Sequence, residues 1–192
     1  AGILGGDSYQ RTRTPDARAA ADHDRFALGH PLGQAAVEPA DLGRADQLSD
    51  LAAAAGVTML HENEKGIYGE QPDRCQDMHQ TVTGQHFRAT FDPANFVQAG
   101  VKPFDDAYPL LKPYIAYFHI KDAIMGEGRV VPAGEGDGQI RELMVAARAS
   151  GYDGYLSLEP HLKVAGHSTG FTGPELFGTA VSALRVILDD LD

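Results

Sequence analysis

The chain has 192 residues, 43% of them hydrophobic, with 22 Gly and 11 Pro, which fits a folded globular domain and excludes a coiled coil, a fibre or a disordered tail. Its net charge of -11 argues against a surface that neutralises nucleic-acid phosphates and favours a small polar or metal-borne ligand. The one cysteine, Cys75, cannot close an internal disulfide, and no apolar run nears the roughly 20 residues that span a bilayer, so no membrane partner and a cytoplasmic location are expected.

Ala1–Gly6 lacks the length and basic flank of a secretory signal, and the missing initiator Met points to a trimmed or partial chain. Residues 1–40 show no sustained period of 2 or 3.6 and read as an irregular N-terminal segment, with Ala1–Gly6 a candidate remnant of an earlier strand. Residues 41–192 settle into a regular alternation. Asp41–Ala55 carries Leu48, Leu51, Ala52 and Ala55 at helical spacing and stops at Gly56; a short strand, Val57–Glu62, follows. Helix Pro72–Thr83 precedes strand His86–Asp92. Helices Pro93–Ala99 and Asp105–Leu111 precede strand Tyr114–His119, and helix Gln139–Ser150 precedes strand Gly154–Glu159. The closing helix is announced by Thr172-Gly-Pro-Glu175, a capping-box pattern, and by an apolar stripe from Leu176 and Phe177 to Leu191. Strands alternating with helices at this spacing predict βαβ units and a parallel sheet.

Each strand ends in a potential metal ligand: Glu62, Asp92, His119 and Glu159, separated by 30, 27 and 40 residues. One βα unit between successive ligands brings all four to the same rim of a parallel sheet or barrel. Alternation puts Thr90, Arg88 and His86 on the face of Asp92, and Phe91, Ala89 and Phe87 on the helix-covered face. Three carboxylates and one imidazole suit Mn²⁺, Mg²⁺ or Co²⁺, with Zn²⁺ admissible. Taken singly, each ligand could instead cap a nearby helix. Two residues beyond the ligands, Lys121 and His161 are placed to bind a substrate oxygen, although Lys121 could equally pair with neighbouring Asp122 on the surface. Asn95 could bind substrate or cap the helix it opens. Gly134-Glu-Gly-Asp-Gly138 lacks the Lys-Ser/Thr of a phosphate loop and reads as flexible; His61 and Cys75 read as packing residues.

The segments His61-Glu-Asn-Glu-Lys-Gly-Ile-Tyr-Gly69, Phe91-Asp-Pro-Ala-Asn95, His119-Ile-Lys-Asp122, Val131-Pro-Ala-Gly-Glu-Gly136 and Leu158-Glu-Pro-His161 resemble the sugar phosphate isomerase/epimerase group of xylose isomerase-like TIM barrels. The likeness covers residues 45–192 and implies an α/β fold of (β/α)8 type, here in its C-terminal portion. It also implies a divalent metal held by Glu62, Asp92, His119 and Glu159, and an isomerase or epimerase that moves a proton through the enediolate of a sugar or sugar-like ketose. In that group Glu62 and Glu159 would be the acid/base pair, with Lys121 and His161 orienting substrate oxygens. Two other readings stay open: a metal-dependent dehydratase of a keto-inositol or polyol on the same barrel, and a catalytically incomplete fragment. The DNA-repair branch of the superfamily fits poorly, since it uses more His ligands and a basic groove.

Residues 57–192 make four βα units of about 34 residues each, and the fold takes eight in roughly 250 residues. About 80 residues are wanting. The expectation is a truncated product of a longer gene, or a partial barrel completed by another chain, as in a homo-oligomer, with open sheet edges as the liability.

Overall fold

A computed structural model describes residues 39–82, 84–162 and 173–191, all within one compact unit, Ala36–Asp192. The irregular segment read at residues 1–40 lies outside the described residues except for Pro39 and Ala40, which open the first helix; Thr172 of the capping box also lies outside them.

The elements in chain order are helix α1 (Pro39–Ala54), strand β1 (Met59–Glu62), α2 (Pro72–Thr81), β2 (Phe87–Phe91), α3 (Pro93–Gln98), α4 (Tyr108–Leu111), β3 (Ile115–Ile120), β4 (Asp122–Ala123), β5 (Val130–Val131), α5 (Ile140–Ala149), β6 (Tyr155–Leu158) and α6 (Pro174–Asp189). Prolines in the first turn start α2, α3 and α6, where a missing N–H costs nothing. Gly56 and Gly151, at φ +67° and +75°, supply the left-handed turns beyond α1 and α5. Helix α6 has Gly173 as its N-cap.

Strands β1, β2, β3 and β6 form a four-stranded, wholly parallel sheet in that order, a partial (β/α) barrel. Between β2 and β3 the register shifts: Ala89 pairs with Ile115 but Thr90 pairs with Tyr117, so Ala116 is an extra residue, a bulge. The helix-side face of the sheet is the core. Phe91, Phe96 and Phe118 are fully buried, with ring centroids 5.1 and 5.7 Å from Phe91, and each contributes about 2–3 kcal/mol of apolar burial. Leu111, Ile140, Leu143, Met144, Leu184 and Ile187 close it from the helices.

Three expectations differ from what is seen. The helix expected from Asp105 begins as a wide turn, Pro103–Ala107, in which Tyr108 N–H reaches back five residues to Pro103 O; Pro109, without an N–H, cannot continue a regular ladder there. Phe177, placed in the apolar stripe of the last helix, is 45% exposed, whereas Ala180, Leu184 and Ile187 are buried. The segment Gly134–Gly138, expected to be flexible, is pinned. It follows a hairpin of two-residue strands, β4 and β5, too short to leave a pattern in the sequence, and its amides close on Asp122. Gly134 and Gly136 N–H donate to Asp122 Oδ2 at 2.8 and 3.1 Å, and Gly138 and Ala123 N–H to Oδ1 at 2.7 and 2.8 Å.

Candidate metal centre

The four strand ends deliver Glu62 from β1, Asp92 after β2, His119 from β3 and Glu159 after β6. Each offers a ligand atom, and those atoms all lie within 4.8 Å of one another. Asp92 caps a helix and also offers an oxygen to the cluster. It follows the last residue of β2 and is the N-cap of α3, its Oδ1 accepting Asn95 N–H at 2.9 Å. Its Oδ2 faces the centre, is fully buried and has no aligned hydrogen bond; the Lys121 ammonium stands 2.8 Å away as an ion-pair partner. A buried carboxylate oxygen left in this way, beside an imidazole and two more carboxylates, is a donor suited to a hard divalent cation.

His119 Nδ1 lies 2.9 Å from Glu62 Oε1 and 3.7 Å from Glu159 Oε2. Lys121, read as a substrate-binding residue with a surface pair to Asp122 as the alternative, is 5% exposed with Nζ 2.7 Å from Glu159 Oε2. His161 Nε2 is 3.3 Å from Glu159 Oε1, its backbone at φ +38°, a left-handed conformation that non-glycine residues adopt at a cost. Glu62 and Glu159 are both one-third exposed while Asp92 is sealed.

The charges follow from burial and pairing. Burial pushes the Asp92 carboxyl up to about 7, against the pull of Lys121 and of the Asn95 amide. Burial would also raise Glu159, but Lys121, His161 and His119 together hold it below the usual carboxylate range. The hydrogen bond to Glu62 raises His119 despite its burial. Burial works against the Lys121 ammonium, yet Asp92 and Glu159 raise it above its ordinary value.

Asn95 is 3% exposed and its amide is turned to the protein, donating to Asn63 O at 2.9 Å and Glu62 Oε1 at 3.3 Å. Asn63, which the motif reading passed over, is the second organiser. Its Nδ2 donates to Asp92 O at 2.8 Å and its Oδ1 accepts Asp92 N–H at 2.9 Å, extending the β1–β2 pairing past the strand ends. The signal available in the sequence was a polar amide directly after a ligand at a strand exit.

A family model for xylose isomerase-like TIM barrels matches residues 43–185. The chain belongs to this family. No curated protein matches it. Among solved structures, this xylose isomerase-like chain is similar to a D-tagatose 3-epimerase-like protein (18% identity, 78% of this chain and 54% of that one, TM-score 0.64). It is also similar to a xylose isomerase-like TIM barrel protein from Mycobacterium smegmatis in complex with magnesium (19%, 86% and 55%, 0.62). A third is the probable 3-DHS dehydratase AsbF from Bacillus anthracis (17%, 75% and 55%, 0.59). The chain spans about half the length of these proteins, and at such identities the likeness is one of fold.

Proposed function

We propose that residues 41–192 are the ligand-bearing part of a divalent-metal-dependent isomerase or epimerase acting on a ketose or sugar-like ketone in the cytoplasm. The observation that carries this reading is the convergence of Glu62, Asp92, His119 and Glu159 from four successive strands on one point. These residues would hold Mn²⁺, Mg²⁺ or Co²⁺. When bound, such an ion supplies Lewis-acid polarisation of adjacent substrate oxygens, which acidifies the C–H between them.

The chain's own residues divide the remaining work. Sealed Asp92, which caps α3 and pairs with Lys121, cannot reach a substrate and would serve to hold the ion. Glu62 and Glu159 leave the two outer strands of the sheet and keep a third of their surface, so each can reach a substrate carbon as base or acid. Glu159 is kept in the deprotonated form a base requires by Lys121, His161 and His119, at the cost of basicity; His161, exposed at 47%, can meet a substrate hydroxyl.

The test is a screen over ketoses, keto-inositols and hydroxypyruvate, with and without added Mn²⁺, followed by solvent-deuterium exchange on the substrate turned over. Glu62→Gln and Glu159→Gln are each expected to slow deuterium incorporation by about 100-fold or more. If neither slows it, the acid/base assignment is wrong. Loss of water from the substrate, in place of exchange, would move the reading to a dehydratase.

A further inference from the structure

We propose that Lys121 is the resident counter-cation of the centre: its ammonium takes the carboxylate oxygens that a divalent ion needs, steadies the metal-free site and limits how tightly metal binds. This rests on the metal reading above and adds how the site manages its charge.

Lys121 lies two residues beyond His119, after the end of β3, and is buried among the ligands, 2.7 Å from Glu159 Oε2 and 2.8 Å from Asp92 Oδ2. Those two oxygens are not interchangeable with their neighbours. Asp92 Oδ1 is committed to the Asn95 amide, and Glu159 Oε1 faces His161. An incoming ion and the ammonium therefore contend for the same donors. Nor can Lys121 retreat to the carboxylate beside it in sequence, because both oxygens of Asp122 are taken by backbone N–H groups. Three carboxylates with ligand atoms within 4.8 Å of one another repel when ionised, and the buried ammonium is their compensation. Removing it leaves that repulsion in the metal-free protein and deepens the attraction for a divalent ion.

The experiment compares the full chain with Lys121→Met, titrating Mn²⁺ alone by calorimetry and following thermal unfolding in chelator and in Mn²⁺. Lys121→Met is expected to bind Mn²⁺ about tenfold tighter or more, to unfold at a lower temperature in chelator, and to gain more from Mn²⁺ than the wild type does. Lys121→Arg, which keeps the charge, should stay within a few-fold of wild-type affinity. Should Lys121→Met fail to fold in chelator, refolding in Mn²⁺ is the expected rescue. Mn²⁺ affinity that is unchanged or weaker in Lys121→Met, beside a wild type that binds normally, overturns this inference alone. A wild type that binds no Mn²⁺ overturns the metal reading and this inference with it.

Discussion

Asn63 gives its amide N–H to the Asp92 carbonyl and accepts the Asp92 N–H in return, while its own carbonyl holds Asn95, which in turn touches Glu62. Two ligands on neighbouring strands are thus set by a residue that carries no charge. Asn63→Ala is expected to cost about 2 kcal/mol in urea unfolding, since it strands buried backbone groups, and to weaken Mn²⁺ binding by about tenfold in a calorimetric titration. The four candidate ligands are legible in the sequence because four titratable residues close four strands in register, although any one of them alone could cap a helix, as Asp92 does. Asn63 is not, because an amide after a strand looks the same whether it makes a turn or clamps the next strand. The partner of Lys121 is illegible for a related reason: the choice between adjacent Asp122 and distant Asp92 and Glu159 is made by a loop that consumes Asp122.

That loop is the clearest case at the level of elements. Composition marks Gly134–Gly138 as lacking side chains to pack, which read as freedom; the missing side chains are instead what lets the backbone close on a buried carboxylate. A Cβ at Gly138 would stand 2.5 Å from Asp122 Oδ1, and one at Gly136 would stand 2.4 Å from it, distances no neighbour tolerates. Burial raises the Asp122 carboxyl, and the four amides counter it. Asp122→Ala is expected to lose about 2–4 kcal/mol, since four backbone donors, two of them buried, lose their acceptor, and Gly138→Ala about 2 kcal/mol. In both, limited proteolysis should move cleavage into residues 132–138. The helices and strands themselves were readable to within a few residues because glycine stops and proline starts coincide with the ends of the apolar periods. The two-residue strands β4 and β5 were not, as a period needs repeats.

For the molecule as a whole, His79 is one source of lost stability in acid. It is 6% exposed in α2, stacked on Tyr114 at 5.0 Å and set 4.7 Å from Phe87, and neither ring nitrogen has a hydrogen-bond partner. Burial, helped by the nearby His61 and Arg88, drives its pKa down to about 4 from 6.5. The native state therefore stays unprotonated where the unfolded chain takes up a proton. Above the unfolded value His79 contributes no pH dependence; as pH falls from about 6.5 to about 4 it removes stability, up to about 3 kcal/mol. In His79→Phe, the urea midpoint should fall less between pH 7 and pH 4.5 than in the wild type. The sequence reveals four βα units and a fold built from eight; which buried His would add to the acid limb depends on ring neighbours drawn from three elements, which no single segment of sequence displays.

The bulge at Ala116 is where odd-even counting along β3 breaks. Before it Ile115 packs on the helix side; after it Tyr117 and His119 face the rim. Alternation counts only odd and even, so one residue is a switch between two complete assignments of the strand. Insertions in the surrounding loops preserve that parity, and so would loss of Ala116, since Ala89 pairs with Ile115 and Thr90 with Tyr117; a single residue gained or lost between Tyr117 and His119 would instead turn His119 and Lys121 out of phase with Asp92 and Glu159 without altering either side chain. The centre therefore hangs on the parity of the last few residues of β3, which no loop length can correct.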